Sequence, residues 1–391
     1  MNLKKQKKIL LIGLGSEIGS TLLSINNFKK GPLRITTVLT NSIHNNDLEK
    51  NLESLKTRLI INDPSLINLI KIEKSKSIIL INNSPIKIYF GDIKKFNLKN
   101  FSKKFDATIV ATSKSHINNK KLMNRFLKIS KFVFGVAESN ELPSIYPNLL
   151  GVTSNIIDIK SRKVSNFKNK SFALGSCQSN GWQAQLRALI DMFANLRVNY
   201  FKMLGCELDI VHPDTPQGRL GTKSLDPREQ DARNNLRPGF SQVGQSMKKL
   251  FSIKHLINTI SLRTLIMPPG YQISRFFFSY SLKNKKRLTK NLIINSIKKL
   301  SLKNRKKYQF TETTLGSRAF EKSEASAVIL LNKKYFHFND NLFNINYGND
   351  KQRVSEIIFQ AYVHNTRGYC FSVLNALEQI LLNNNRTSFW K

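Results

Sequence analysis

A glycine turn near the start of the chain constrains the fold more than any other feature of the sequence. Residues 9–20 read ILLIGLGSEIGS, in which an apolar, strand-like run is followed by Gly13, Gly15 and Gly19 and then by a helical pattern. Glycines at such a turn let a pyrophosphate approach the backbone amides at the helix start. The spacing, G-x-G-x-x-x-G, is one residue longer than the common fingerprint. The turn predicts either a dinucleotide site or a tight strand-to-helix connection in an unrelated α/β domain.

Up to about residue 175, apolar runs alternate with helical patterns. Strands are predicted at 34–39, 86–90, 105–111, 131–136 and 172–174, and helices at 21–28, 48–61 and 116–129. This alternation is typical of a parallel, doubly wound sheet, so the fold class is α/β of the Rossmann type. The strand at 34–39 is followed by Thr40, Asn41 and Ser42. The acidic residue that would bind the adenosine ribose of NAD is absent there, which leaves NADP open.

Beyond residue 175 the pattern changes to consecutive strands with short connections. Strands are predicted at 204–211, 264–267, 273–282, 325–331 and 357–363, and helices at 182–196 and 370–382. This order indicates an α+β domain with a mixed or antiparallel sheet. We therefore predict a nucleotide-binding domain over residues 1–175, joined by the C-terminal segment 357–391, and a catalytic domain over residues 176–356.

Cys177 lies between a predicted strand and a predicted helix, in the segment SFALGSCQSNGW. Backbone amides and the helix dipole favour an anion at such a position, which favours the thiolate and could stabilise an oxyanion. The alternative is a small apolar residue packed beneath the helix. His212 follows the alternating strand LGCELDIV and is a candidate general base, although a lone histidine at a strand end can also be structural.

Composition limits the classes of function. The chain has 391 residues and a formal net charge of +38. This charge is spread along the whole length without the aromatic-basic pattern of an RNA-binding module, so a solvated basic surface is favoured over a dedicated nucleic-acid site. The three cysteines are too scattered for a disulfide framework or a metal site, which indicates a reducing compartment. The first apolar run is too short for a signal peptide or a membrane span, so we expect a cytoplasmic protein with no membrane partner.

The order of these motifs resembles the glyceraldehyde-3-phosphate dehydrogenase family over nearly the full length. The glycine turn loosely matches the family's G-x-G-x-x-G, and the family's S-C-T-T-N is similar to residues 176–180, SCQSN. The family strand ending T-T-V-H is similar to residues 209–212, DIVH. The closing W-Y-D-N-E-W-G-Y-S of the family is similar to residues 361–370, AYVHNTRGYC.

The resemblance implies a nicotinamide-dependent oxidation of an aldehyde, or reduction of an acyl phosphate or thioester, through a thioester on Cys177 with His212 as its base. It implies NAD or NADP as cofactor and a homo-oligomer, a tetramer or a dimer, as the assembly. The residues that it assigns to the cofactor are Gly13, Gly15, Ser16, Glu17, Ile18, Gly19, Asn180 and Asn365. Those that it assigns to the substrate are Ser176, Gln178, Arg228, Arg233, Ser241 and Gly244.

One departure from the family bears on the substrate. The family strand F-R-V-P carries an arginine that grips the substrate phosphate, and the matching stretch here is LIMP, with Ile266 in place of that arginine. An isoleucine cannot form charge-assisted hydrogen bonds, so a lysine or arginine from elsewhere would have to replace it. We therefore expect a substrate other than glyceraldehyde 3-phosphate. A catalytically inactive relative with a regulatory, scaffolding or RNA-associated role is the alternative.

Overall fold

The computed structural model describes all residues except 1–5, 29–30, 46, 102–103, 153–160, 164–169, 214–234, 252–256, 283–286, 348–349, 383–387 and 391. The chain forms two compact units. The first comprises Met1–Pro147, Arg162–Gly175 and Val373–Phe389, and the second comprises Asn148–Ser161, Ser176–Ser372 and Trp390–Lys391. The first unit's segment Arg162–Gly175 ends at residue 175, whereas residues 148–161, predicted in the first domain, belong to the second unit. The return to the first unit comes at Val373, later in the chain than the predicted residue 357.

The first unit carries a sheet of eight strands and the helices that connect them. Its elements are β1 Lys7–Ile12, α1 Glu17–Phe28, β2 Leu33–Thr40, α2 Leu48–Asn62, β3 Ile70–Glu73, β4 Ile78–Ile81, β5 Ser84–Phe90, β6 Phe105–Val110, α3 Lys114–Asn118, α4 Lys120–Arg125, β7 Ser130–Gly135, β8 Ser161–Lys163 and β9 Ser171–Ala173. The strand order is β3-β4-β5-β2-β1-β6-β7-β9. From β5 to β9 every pairing is parallel, whereas β3, β4 and β5 pair in antiparallel fashion.

The predicted doubly wound α/β sheet is confirmed. The order β5-β2-β1-β6-β7-β9 reverses at β1, which is the switch point of the doubly wound topology. The apolar runs of β1 and β6 are fully buried because helices cover a parallel sheet on both faces. The helix predicted over 116–129 is instead broken into α3 and α4. The break is at Asn119, whose side chain accepts a hydrogen bond from the Leu122 amide and so caps α4.

The second unit carries a mixed sheet with helices packed on it. Its elements are α5 Cys177–Asn195, β10 Val198–Pro213, β11 Arg237–Pro238, α6 Val243–Leu250, β12 Ile257–Thr264, β13 Gly270–Leu282, α7 Lys290–Asn304, β14 Tyr308–Thr311, β15 Ala327–Leu330, β16 His337–Tyr347, β17 Asp350–Val363 and α8 Arg367–Leu382, whereas the last strand of the chain, β18 Ser388–Trp390, lies mostly in the first unit. Helix α8 continues into the first unit. The strand order is β11-β12-β10-β13-β17-β15-β14, with β16 paired to β17, and β8 and β18 form a separate two-stranded sheet.

Helix α5 begins five residues earlier than predicted, at Cys177 rather than at 182. The side chain of Ser176 caps it by accepting a hydrogen bond from the Ser179 amide at 3.1 Å. The helix was predicted to start only after Gly181, because glycine disfavours a helix. A Cβ on Gly181 would lie 2.2 Å from Val363 Cγ1, so the glycine is needed where α5 packs on the sheet.

The strand predicted at 264–267 is wrong, because β12 occupies Ile257–Thr264 and the following residues form a loop. The buried residues of β12 include Ser261 and Arg263, while Ile260 is 62% exposed. The apolar pattern therefore does not mark the inward face of this strand. Among the described residues, no helix is both long and apolar enough to cross a membrane.

Candidate active site

In the first unit, the glycine turn joins β1 to α1 at the switch point of the sheet. Gly13 has φ +95°, a conformation that favours glycine. Ser16 Oγ donates to the Ala111 carbonyl at 2.9 Å and accepts from the Gly19 amide at 3.0 Å, so Ser16 ties the turn to β6 and caps α1. A Cβ on Gly19 would lie 1.9 Å from the Gly13 carbonyl oxygen. The close packing of helix on turn therefore requires glycine at both positions.

A cavity of about 410 Å³ opens at this turn. Gly13, Gly15 and Ser16 line it, as do residues at the ends of β2, β5 and β6. The cavity thus lies at the carboxyl ends of the strands, where doubly wound sheets bind nucleotides. Glu17 and Ile18 lie in the first turn of α1. The backbone approach that the glycines permit fits the pyrophosphate of a dinucleotide.

In the second unit, Cys177 is the first residue of α5 and is half-buried. The other two cysteines, Cys206 and Cys370, are fully buried. Burial raises the pKa of Cys206 to about 12, and its sulfur accepts a hydrogen bond from the Trp182 indole at 3.2 Å. Cys177 therefore differs from both in its position at a helix start, where the first-turn amides and the dipole stabilise a thiolate.

His212 lies near the end of β10, on the sheet face that α5 covers. That face is identified by Cys206 on β10, which receives the hydrogen bond from Trp182 of α5. His212 is six residues further along the strand, and side chains alternate with a period of two, so it shares the face of Cys206. The His212 Nδ1 is hydrogen-bonded to the Pro213 carbonyl. Since a carbonyl only accepts, Nδ1 carries the proton, and Nε2 is the nitrogen that can act as a base.

The side chain of Gln272, on β13, links the start of α5 to the end of β10 that carries His212. Gln272 Nε2 donates to the Gln178 carbonyl at 2.9 Å, and Gln272 lies directly opposite Ile210 in the antiparallel register. His212 is two residues beyond Ile210 on the same face, a distance of roughly 7 Å along the strand. Gln178, which follows Cys177, is therefore held against the cross-strand row that precedes His212.

The bond from Gln272 belongs to a chain of four buried amides. Gln185 Nε2 donates to Gln272 Oε1 at 2.9 Å, Gln272 Nε2 donates to Gln178 Oε1 at 2.5 Å, and Gln178 Nε2 donates to Asn365 Oδ1 at 2.7 Å. The Gln178 carbonyl fixes the direction of the chain, because only the nitrogen of Gln272 can face it. Asn365 consequently presents Nδ2 outward from the chain. This nitrogen is buried and has no hydrogen-bond acceptor among the described residues.

The remaining predicted residues divide into those at the start of α5 and those elsewhere. Ser176 caps the helix, whereas Asn180 is fully buried and donates through Nδ2 to the Ser176 carbonyl at 3.1 Å. The Asn180 amide thus stabilises the helix start. Ser241 accepts a hydrogen bond from the Val243 amide just before α6, and Gly244 lies in the first turn of that helix. Arg228 and Arg233 lie outside the described residues.

Helix α6 also contacts the start of α5. Ser246 Oγ donates to Ser179 Oγ at 2.8 Å. Neither Ser246 nor Gln272 was identified from the sequence, because a buried serine or glutamine has no signature in the apolar pattern. In the sequence, each appears only as a polar residue within a segment that is otherwise buried.

Two buried arginines lie in the row of His212. Arg263 is directly opposite His212 in the parallel pairing of β10 and β12, and Arg237 is directly opposite Arg263 in the pairing of β11 and β12. Arg237 and Arg263 are 2% and 5% exposed. Directly paired residues project on the same face of a sheet. These arginines were not predicted as site residues, because the strand matched to the family arginine was predicted at 264–267.

Ile266 does not lie in the row of His212 and Arg263. It lines a cavity of about 400 Å³ together with Val211, Tyr271 and Tyr362. Val211, Tyr271 and Tyr362 form one row across β10, β13 and β17, and the adjacent row of Ile210 and Gln272 faces α5. Successive rows project on opposite faces of a sheet. Ile266 therefore borders the face opposite the one that carries His212.

Within the described ranges, no group of three or more histidine, cysteine, aspartate or glutamate side chains is placed to hold a metal ion. Neither a protein-family model nor a curated protein matches the chain.

Proposed function

We propose that the protein is a NAD(P)-dependent oxidoreductase that converts an aldehyde, or the corresponding acyl phosphate or thioester, through a thioester on Cys177. The observation that carries the proposal is the hydrogen bond from Gln272 to the Gln178 carbonyl. It holds the start of α5 beside the strand row that precedes His212. A cysteine at a helix start and a histidine on the facing strand end are the nucleophile and base that this chemistry requires.

In the oxidative direction, the Cys177 sulfur forms a bond to the aldehyde carbon while the carbonyl π electrons move to oxygen. Amides in the first turn of α5 stabilise both the thiolate and the developing oxyanion. His212 Nε2, which receives the proton when Cys177 ionises, passes it to the oxyanion to give the hydroxyl of the hemithioacetal. It takes this proton back as the carbon–oxygen double bond is restored. Phosphate or water then displaces Cys177 from the thioester, and the thiolate returns.

The cofactor, when bound, supplies the acceptor for the hydride that leaves the aldehyde carbon. In the first unit, Gly13, Gly15 and Ser16 would hold its pyrophosphate at the start of α1. In the second unit, Asn365 Nδ2 offers two N–H donors at a buried position, which suits the carboxamide oxygen of nicotinamide. The amide chain uses Oδ1 of Asn365 and leaves Nδ2 as the donor for a ligand.

We propose further that the substrate carries an anionic group bound by Arg263. A guanidinium forms bidentate, charge-assisted bonds to phosphate and carboxylate. Arg263 lies in the same cross-strand row as His212, whereas Ile266 borders the other face. Arg263 would thus take the role of the family arginine, whose matching position here is Ile266.

The test is reduction of NAD or NADP by the full-length protein with a panel of phosphorylated, carboxylated and uncharged aldehydes, combined with mass spectrometry of the trapped acyl-enzyme. We expect acylation at Cys177 and complete loss of activity in Cys177→Ala, with cofactor binding retained. Cys370→Ala, at a fully buried cysteine, is the control and should remain active. Turnover that survives in Cys177→Ala would refute the mechanism. Cofactor binding without turnover on any aldehyde would favour the catalytically inactive alternative.

A further inference from the structure

We propose that the nucleotide cavity of the first unit selects a dinucleotide with a 2′-phosphate, NADP(H), over NAD(H), and that Arg58 on α2 makes this selection. The inference rests on the proposed function, because it refines the cofactor of that same site. Its basis is the set of polar groups around the part of the cavity where the adenosine ribose would lie, beyond the end of β2.

The end of β2 carries neutral hydrogen-bonding groups. Thr40, Asn41 and Ser42 line the cavity in succession, and no described carboxylate lines it. Asp92, which follows the lining residue Gly91, accepts hydrogen bonds from the Lys94 amide at 2.6 Å and the Lys95 amide at 3.3 Å. Both bonds fall on Asp92 Oδ1 and lie within its own loop, and Asp92 does not line the cavity. A ribose 2′-hydroxyl would find no carboxylate here to accept its proton, which removes the usual basis for preferring NAD.

Arg58 supplies a positive charge in the same cavity. Its Nη1 donates to the Gly15 carbonyl at 3.0 Å, so the guanidinium reaches from α2 over the glycine turn and lines the cavity. A Cβ on Gly15 would lie 2.8 Å from Nη1, and the glycine therefore permits this approach. A guanidinium has five N–H donors, of which this contact uses one. The others can meet a phosphate on the ribose.

The selectivity follows from the difference between the two ligands. A 2′-phosphate would gain charge-assisted hydrogen bonds from Arg58 and neutral ones from Asn41 and Ser42. A 2′-hydroxyl would gain only the neutral bonds. A hydrogen bond to a charged group contributes about 1.5–3 kcal/mol, which corresponds to roughly ten- to 150-fold in affinity.

Binding of NADPH, NADH, 2′,5′-ADP and 5′-AMP to the full chain, measured by calorimetry, tests the inference without any turnover. We expect NADPH and 2′,5′-ADP to bind at least tenfold more tightly than NADH and 5′-AMP, respectively. Arg58→Met should weaken the two 2′-phosphate ligands by about ten- to 150-fold and leave the other two unchanged. Lys50→Met removes one charge from the same helix, where Lys50 pairs with Asp47 at 3.1 Å, and should change none of the affinities.

A second variant, Asn41→Asp, places a carboxylate at the end of β2 and should reverse the preference toward NADH. Equal affinities for NADPH and NADH, or an equal loss of both in Arg58→Met, would overturn the selection by Arg58 while leaving the proposed oxidoreductase intact. Failure of all four ligands to bind the folded protein would overturn the proposed function itself and the inference with it.

Discussion

The chain of buried amides predicts opposite outcomes for two glutamine-to-methionine substitutions. Gln272 is fully buried, donates to both Gln178 Oε1 and the Gln178 carbonyl, and accepts from Gln185. Gln272→Met would leave those three polar groups buried without their partner. Gln183 is equally buried, but neither Nε2 nor Oε1 has a hydrogen-bond partner among the described residues. Gln183→Met removes two polar atoms that are costly to bury, at nearly constant volume.

The magnitudes follow from the cost of burying an unsatisfied polar group, about 1–3 kcal/mol each. With partial relaxation, we expect Gln272→Met to destabilise the second unit by about 3 kcal/mol. We expect Gln183→Met to be neutral or to stabilise it by about 1 kcal/mol. A two-unit chain does not unfold in a single step, so hydrogen exchange of the α5 amides is the suitable measurement.

Some α5 amides exchange only when the whole second unit opens. For those amides, a loss of about 3 kcal/mol would accelerate hydrogen exchange more than a hundredfold. Gln183→Met should exchange at the wild-type rate or more slowly. Equal acceleration in the two variants would show that the cost comes from packing alone. Unchanged exchange in Gln272→Met would refute the amide chain.

Three further predictions concern the proposed chemistry and the pH dependence of stability. The alkylation rate of Cys177, measured against pH, should have its midpoint below about 7.5 and should shift in His212→Asn; a midpoint near 8.5 that ignores the substitution would mean that the pair is not coupled. Arg263→Gln should lower kcat/KM for an anionic aldehyde by roughly ten- to 150-fold relative to an uncharged one, whereas Ile266→Arg should leave this ratio unchanged; the reverse result would return the anion site to position 266. Burial and the neighbouring Arg187 lower the pKa of Lys307 from 10.5 to about 7. Because the unfolded chain then binds more protons above pH 7, stability should rise with pH between about 7 and 10. In thermal unfolding of Lys307→Met, this rise of stability with pH should be absent. An identical pH dependence of the unfolding temperature in both proteins would contradict the prediction.

The alternation of apolar runs and the glycine turn were sufficient to predict the doubly wound sheet of the first unit, but not its antiparallel edge of β3 and β4. Central strands of a parallel sheet are buried on both faces, so β1 and β6 appear as nearly continuous apolar segments. The second unit was harder to predict. Its strand β12 carries Arg263 inward and Ile260 outward, so the apolar pattern did not mark the buried face.

The sequence by itself determined the candidate nucleophile, Cys177, because a cysteine between an apolar strand and a helical pattern is a local feature. It also determined the position of the glycine turn and the lack of a carboxylate after β2. It could not determine which side chains share a face of the second sheet, since that depends on strand register across distant segments. Only the tertiary structure placed Arg263 opposite His212 and tied Gln272 to Gln178. It also brought Arg58 over the turn at Gly15, because that approach depends on the packing of α2 rather than on sequence spacing.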